Sequence, residues 1–167
     1  MHAEEVLFYG DRTLLATLAN IPETEWATPG VCGVWSVKDI VAHLASHEQV
    51  LVELLGSFLS PDPTPTLDAF KRGVGAFNDP EVEKRRHLTN AQQLAEYKDA
   101  HTQCMELIRR IPAEKLRATG ALPWYGAAYD LEDFLAYGFY GHKREHCAEI
   151  NVFRDKLENS GVIAKRR

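Results

Sequence analysis

The sequence predicts an all-α protein: a four-helix bundle with one long crossover between its second and third helices. Four segments of about 15 to 28 residues repeat their apolar residues at helical spacing. No comparable stretch alternates with the two-residue period of a half-buried strand. Pro61, Pro63 and Pro65 force an extended segment after the second helical stretch, where an up-and-down bundle would have a tight turn. Residues 1–167 are expected to form one helical domain, because neither a repeat nor a low-complexity linker divides them.

The first helix is expected over 4–18, with Val6, Leu7, Leu14, Leu15 and Leu18 on one face, ending before Ile21-Pro22. Pro29, Gly30 and Gly33 mark a connecting loop. Ser36-Val-Lys-Asp39 then forms a capping box that opens a helix running to about Leu59, with His43 two turns inside it. In the crossover, Thr66-Leu-Asp-Ala-Phe70 starts a short helix broken by Gly73 and Gly75, and Pro80 to His87 forms another. Thr89-Asn-Ala-Gln92 caps the third long helix, which ends at Ile111 before Pro112. The loop 112–129 carries Trp124 and Tyr125, which either cover the core or line a ligand mouth. Asp130-Leu-Glu-Asp133 opens the last helix, read as uninterrupted to about Leu157.

Composition excludes several roles. Nineteen Lys and Arg stand against 24 Asp and Glu, a net charge of -5, and no basic stripe is present to neutralise a phosphate backbone; no nucleic-acid partner is expected. No stretch reaches the roughly 18 apolar residues of a membrane span, and the N-terminal residues are charged where a signal peptide is apolar. Cys32, Cys104 and Cys147 are too few and too scattered for a disulfide framework, which suits a reducing cytoplasm. The expectation is a cytoplasmic protein whose partner is a small-molecule substrate; a homodimer is allowed. At this length a core forms without a structural metal.

The chemistry lies in the histidines. His142 and His146 stand four residues apart on the last helix, and His43 lies about a hundred residues upstream on the second. Three neutral imidazoles from two helices can hold a divalent ion and leave coordination positions open. The stripe Leu131, Leu135, Gly138, His142, His146 and Glu149 turns the pair inward, and His43 lies between Ile40 and Leu44 at the edge of the buried arc of its helix. Gly138 either leaves room for a substrate or allows close packing. Asp39, one turn before His43, and Glu149, three residues after His146, are placed to accept imidazole N–H bonds or carry protons; both could equally be surface carboxylates. Cys147 lies about 100 degrees round the helix from His146 and is read as a buried apolar residue. Lys143, Arg144 and Arg154 are either solvated or steer an anionic cofactor.

Trp35-Ser-Val-Lys-Asp-Ile-Val-Ala-His43-Leu44, taken with His142-Lys-Arg-Glu-His146-Cys-Ala-Glu-Ile150, resembles the DinB-like superfamily of metal-binding four-helix bundles. That group also includes the N-terminal domain of mycothiol-dependent maleylpyruvate isomerase and the bacillithiol transferases. The resemblance spans nearly the whole chain. It implies His43, His142 and His146 as the metal ligands, with zinc or nickel as the ion and His47 as a rim residue or an acceptor behind the ligands. It implies a protein that activates a low-molecular-weight thiol, or water, for attack on a small electrophile, as a thiol transferase or a hydrolase. The alternative is a non-catalytic protein that sequesters a small molecule at the same metal.

Overall fold

Three reciprocal capping boxes start the long helices where the sequence places them. The Ser36 Oγ accepts from the Asp39 amide at 3.1 Å while the Asp39 carboxylate accepts from the Ser36 amide at 3.0 Å. Thr89 with Gln92 and Asp130 with Asp133 repeat the arrangement. Each box satisfies amides that the first helical turn leaves without a partner. The computed structural model describes residues 2–164; residues 1 and 165–167 lie outside the described residues. It is all-helical, and its one β-bridge joins Cys32 to Trp35.

The elements are α1 (Ala3–Leu18), a single 3-10 turn (Glu23–Glu25), α2 (Val37–Ser57), α3 (Pro65–Lys71), α4 (Val74–Arg85), α5 (Asn90–Ile108), α6 (Ala113–Leu116), α7 (Leu131–Leu135), a π-helical segment (Ala136–Gly141) and α8 (His142–Asn159). α2 packs chiefly on α5, and α1 packs on α8 and the π segment. α3 and α4 form the crossover and lie against α2. No helix among the described residues is long and apolar enough to cross a membrane.

The crossover differs from expectation at Pro80. α4 starts at Val74, directly after Gly73 (φ 133°), and runs through Pro80 rather than starting there. An internal proline costs about 3 kcal/mol through its lost amide and its ring clash. Burial of Phe77 before it and Val82 after it offsets that cost.

The last helical run also departs from the α-helical reading. Its six-residue π segment changes the register just ahead of His142. The fully buried line passes through Leu131, Leu135, Phe139, Lys143 and Ile150, not through Gly138 and His142. Gly138, His142 and Glu149 are half-buried at the margin of that line. The pair is therefore at the edge of the core, with an open side.

Two apolar clusters fill the bundle. One gathers Leu7, Leu51, Leu54, Leu55, Phe134 and Phe139; the other gathers Leu14, Ile40, Val41, Leu44, Tyr97, Ile150 and Phe153. Along α2 and along the last helical run, the residues between the two sets are polar: His43, His47 and Glu48 on α2, and His142, Lys143 and His146 on α8. On α1 the corresponding position is Gly10. A Cβ there would stand in ordinary contact, 3.5 Å from the Lys143 side chain and 3.4 Å from the Tyr140 ring, so α1 lies close against the polar layer at this point.

Candidate metal centre

α2 and α8 bring three imidazoles together in this layer. The Nε2 atoms of His43 and His142 are 2.9 Å apart, and those of His142 and His146 are 3.0 Å apart. Ligand nitrogens about 2.0–2.1 Å from one ion stand about 2.9 Å apart at right angles and about 3.3 Å apart in a tetrahedron. The observed spacings match the right-angled pair. Two of these imidazoles, His43 and His142, fall with His47 in a buried histidine cluster that could bind a metal.

Burial keeps the rings of His43, His47 and His142 neutral. It is the main cause, ahead of repulsion from the neighbouring histidines, that holds His43 far below the ordinary imidazole value of 6.5. The same cause lowers His142 to about 3 and His47 to about 4. Neutral imidazoles retain the lone pairs that a cation needs. Trp35, just ahead of α2, lies with its ring centroid 4.9 Å from that of His43 and closes that side.

The surroundings of the rings differ. Glu149 Oε2 lies 2.8 Å from His146 Nδ1, so this carboxylate can accept the Nδ1–H and turn Nε2 toward the other histidines. Asp39 does not meet an imidazole. Its carboxylate accepts from the Ser36 amide and hydroxyl and lies 3.8 Å from Arg86, because a capping residue at the third helical position must point back along the helix. His43 Nδ1 is buried without a hydrogen-bond partner among the described residues. His47 Nε2 lies 3.2 Å from Asn78 Oδ1 on α4, while its ring centroid is 4.3 Å from that of His43. Its nitrogens fall in one group with His43 and His142, all within 4.8 Å.

Lys143 does not steer ligands. It is 2% exposed, with Nζ 2.7 Å from the fully buried Glu48 carboxylate, which also lies 2.9 Å from His101 Nδ1. Arg154 is paired with Asp155, and Cys147 is buried in the apolar cluster beside Ile150. A charged residue on each apolar stripe, Glu48 on α2 and Lys143 on α8, was the available signal for this pair. Nothing local in the sequence indicates that Cys32 lies beside Glu149 and His146, or that Asn78 meets His47.

A cavity of about 420 Å³ opens on His47 and His142. His47, Asn78 and His142 form one side, and Phe70, Trp124, Tyr125 and Phe134 form the other. Trp124 and Tyr125 thus line a mouth, with ring centroids 5.2 and 4.7 Å from that of Phe134. Gly138 serves both ends the sequence suggests: it lines the cavity, and a Cβ there would press to 3.1 Å from the Phe134 ring. A larger hollow of about 530 Å³ under the crossover contains no histidine.

No curated protein and no solved structure matches the chain. The family model described as mycothiol maleylpyruvate isomerase N-terminal domain matches residues 9–135, a stretch that holds Cys32, His43 and His47 and ends ahead of His142 and His146. With most of its length so matched and an all-helical fold, the chain belongs to the mycothiol maleylpyruvate isomerase N-terminal domain family, a member of the DinB-like superfamily.

Proposed function

We propose that this protein, as one helical domain, holds a divalent ion on His43, His142 and His146 and uses it to activate a low-molecular-weight thiol against a small electrophile. The observation that carries this reading is the convergence of the His43 and His146 Nε2 atoms on that of His142, which lines the open cavity. Zinc and nickel both suit an imidazole set, and supply in the cell decides between them. A divalent ion on three neutral ligands keeps its full charge and acts as a Lewis acid, making a nucleophile of a thiol or water at neutral pH.

The chain's own residues do the rest. Glu149 orients His146, Asn78 holds His47 at the rim, and the aromatic walls exclude water and receive an apolar or aromatic electrophile. The family's association with mycothiol makes that thiol the first candidate. One observation favours sequestration instead: no residue lining the cavity bears a carboxylate or an ammonium group, so its acid–base groups are the imidazoles and the Tyr125 phenol.

The test starts with metal analysis of the purified protein and of His142→Ala. Conjugation of a chlorodinitrobenzene-type electrophile is then followed with mycothiol, bacillithiol and glutathione in turn. The parent should hold one ion in the histidine centre and turn over with one thiol, and His142→Ala should lose both. Equal rates for parent and variant with every thiol sink the transferase. Ester or amide hydrolysis without thiol would select water as the nucleophile, and tight ligand binding without turnover would select sequestration.

A further inference from the structure

Beside the three histidines lies a second set of ligand atoms of different character. Cys32, His146 and Glu149 each present one ligand atom, all within 4.8 Å of one another. Cys32 comes from the loop ahead of α2. A turn with Gly33 in the left-handed region (φ 57°) closes this loop, and the Trp35 amide donates to the Cys32 carbonyl at 2.9 Å. That closure sets the half-buried thiol over α8. The thiol lies within 4.8 Å of a Glu149 carboxylate oxygen, and Glu149 in turn lies 2.8 Å from His146 Nδ1.

We propose that Cys32 Sγ, a Glu149 oxygen and His146 Nδ1 form a second cation site, selective for a soft, thiophilic divalent ion such as zinc or cadmium. A thiolate and a carboxylate together cancel a dication's charge, which three imidazoles cannot do, and the sulfur biases the set toward soft ions. Ion binding forms the sulfur–metal bond and releases the thiol proton to solvent. Without an ion, burial and the neighbouring carboxylate push the thiol up to about 11, so it stays protonated, inert to oxidation and without its own negative charge.

The imidazole of His146 links the two sites. Its Nε2 faces His142 and its Nδ1 faces Glu149. A neutral imidazole has one lone pair, so His146 serves one site at a time, and its tautomer selects which. This exclusivity rests on the ligand reading proposed above; the thiolate site itself does not.

Cadmium is the probe, added to the metal-free full chain, because its bond to thiolate gives an ultraviolet charge-transfer band. The parent should show the band. His142→Ala should show it at a lower cadmium concentration, since His146 is then released. Cys32→Ser should lose it while keeping the parent's circular dichroism, and Glu149→Gln should need roughly tenfold more cadmium, the lower end of the effect expected from losing a metal-site carboxylate. Absence of the band in the parent, or an undiminished band in Cys32→Ser that places the sulfur at Cys104 or Cys147, overturns the site. If His142→Ala and the parent bind cadmium alike, the thiolate site stands and the competition with the histidine centre is lost.

Discussion

The polar layer of the bundle contains two clusters built on the same two helices and opposite in nature. His47 and Glu48 are neighbours on α2, as are His142 and Lys143 on α8, so one residue, about 100° of helical turn, separates the clusters. Turned toward α5, Glu48 meets Lys143 at 2.7 Å and His101 at 2.9 Å, with both side chains of the ion pair almost fully buried. Turned toward the crossover, the histidines meet one another, and their lone pairs converge next to a cavity. The first cluster balances its own charge and is closed. The second is neutral and open, a donor set without an acceptor. Buried polarity thus reads as structure when it is compensated from within, and as a site when it is left open to a cation.

Breaking the closed cluster should have the largest effect. Lys143→Met leaves Glu48 as an unpaired buried carboxylate and should cost about 3–5 kcal/mol in urea unfolding. The double variant Lys143→Met with Glu48→Gln should recover most of that loss, since neither charge remains. If the single variant costs less than about 1 kcal/mol, the pair is not the compensated element described here.

Acid should separate the clusters by window. His142 and His47 are held at about 3 and about 4, below the ordinary 6.5, so between those values the unfolded chain binds protons that the native chain refuses. Their contribution to the metal-free protein is complete above about pH 6.5 and lost as the pH falls through about 4 toward 3. Glu48, held below its ordinary 4.5 by Lys143 and His101 against the opposing effect of burial, weakens the fold only below that value. Urea midpoints measured in chelator should therefore already decline between about pH 6.5 and pH 5. A flat profile there would mean that the native imidazoles accept protons, which removes the lone pairs from the proposed centre.

The two carboxylates near the histidines should differ least conspicuously but most informatively. Glu149→Gln weakens the acceptor behind His146 and should lower zinc affinity about 10–100-fold in competition with a chelating dye. Asp39→Ala should leave zinc affinity unchanged and cost about 1 kcal/mol of stability through its capping box. A metal defect in Asp39→Ala would show that the cap orients His43 as well as starting the helix.

Much of this architecture was legible locally. Capping boxes at Ser36, Thr89 and Asp130 are short-range hydrogen-bond patterns, so their residues alone announce the helix starts. The prolines at 61 and 63 likewise keep the chain between α2 and α3 out of a helix, Pro65 opens α3, and the spacing of His142 and His146 determines that both share a helix face. Other features depended on what packs against what. The π segment at 136–141 moved the core line from Gly138 and His142 to Phe139 and Lys143, a register choice that α-helical periodicity does not contain. α4 passes through Pro80 because Phe77 and Val82 are buried on either side of it. The long-range partners of the ionisable groups were also tertiary: Lys143 finds Glu48, His101 finds Glu48, and Glu149 lies beside Cys32. Short-range periodicity and capping determine helices because the groups involved are neighbours in the chain. Partners separated by 50 to 100 residues are chosen only when burial removes water as the competing partner and makes each unpaired charge costly.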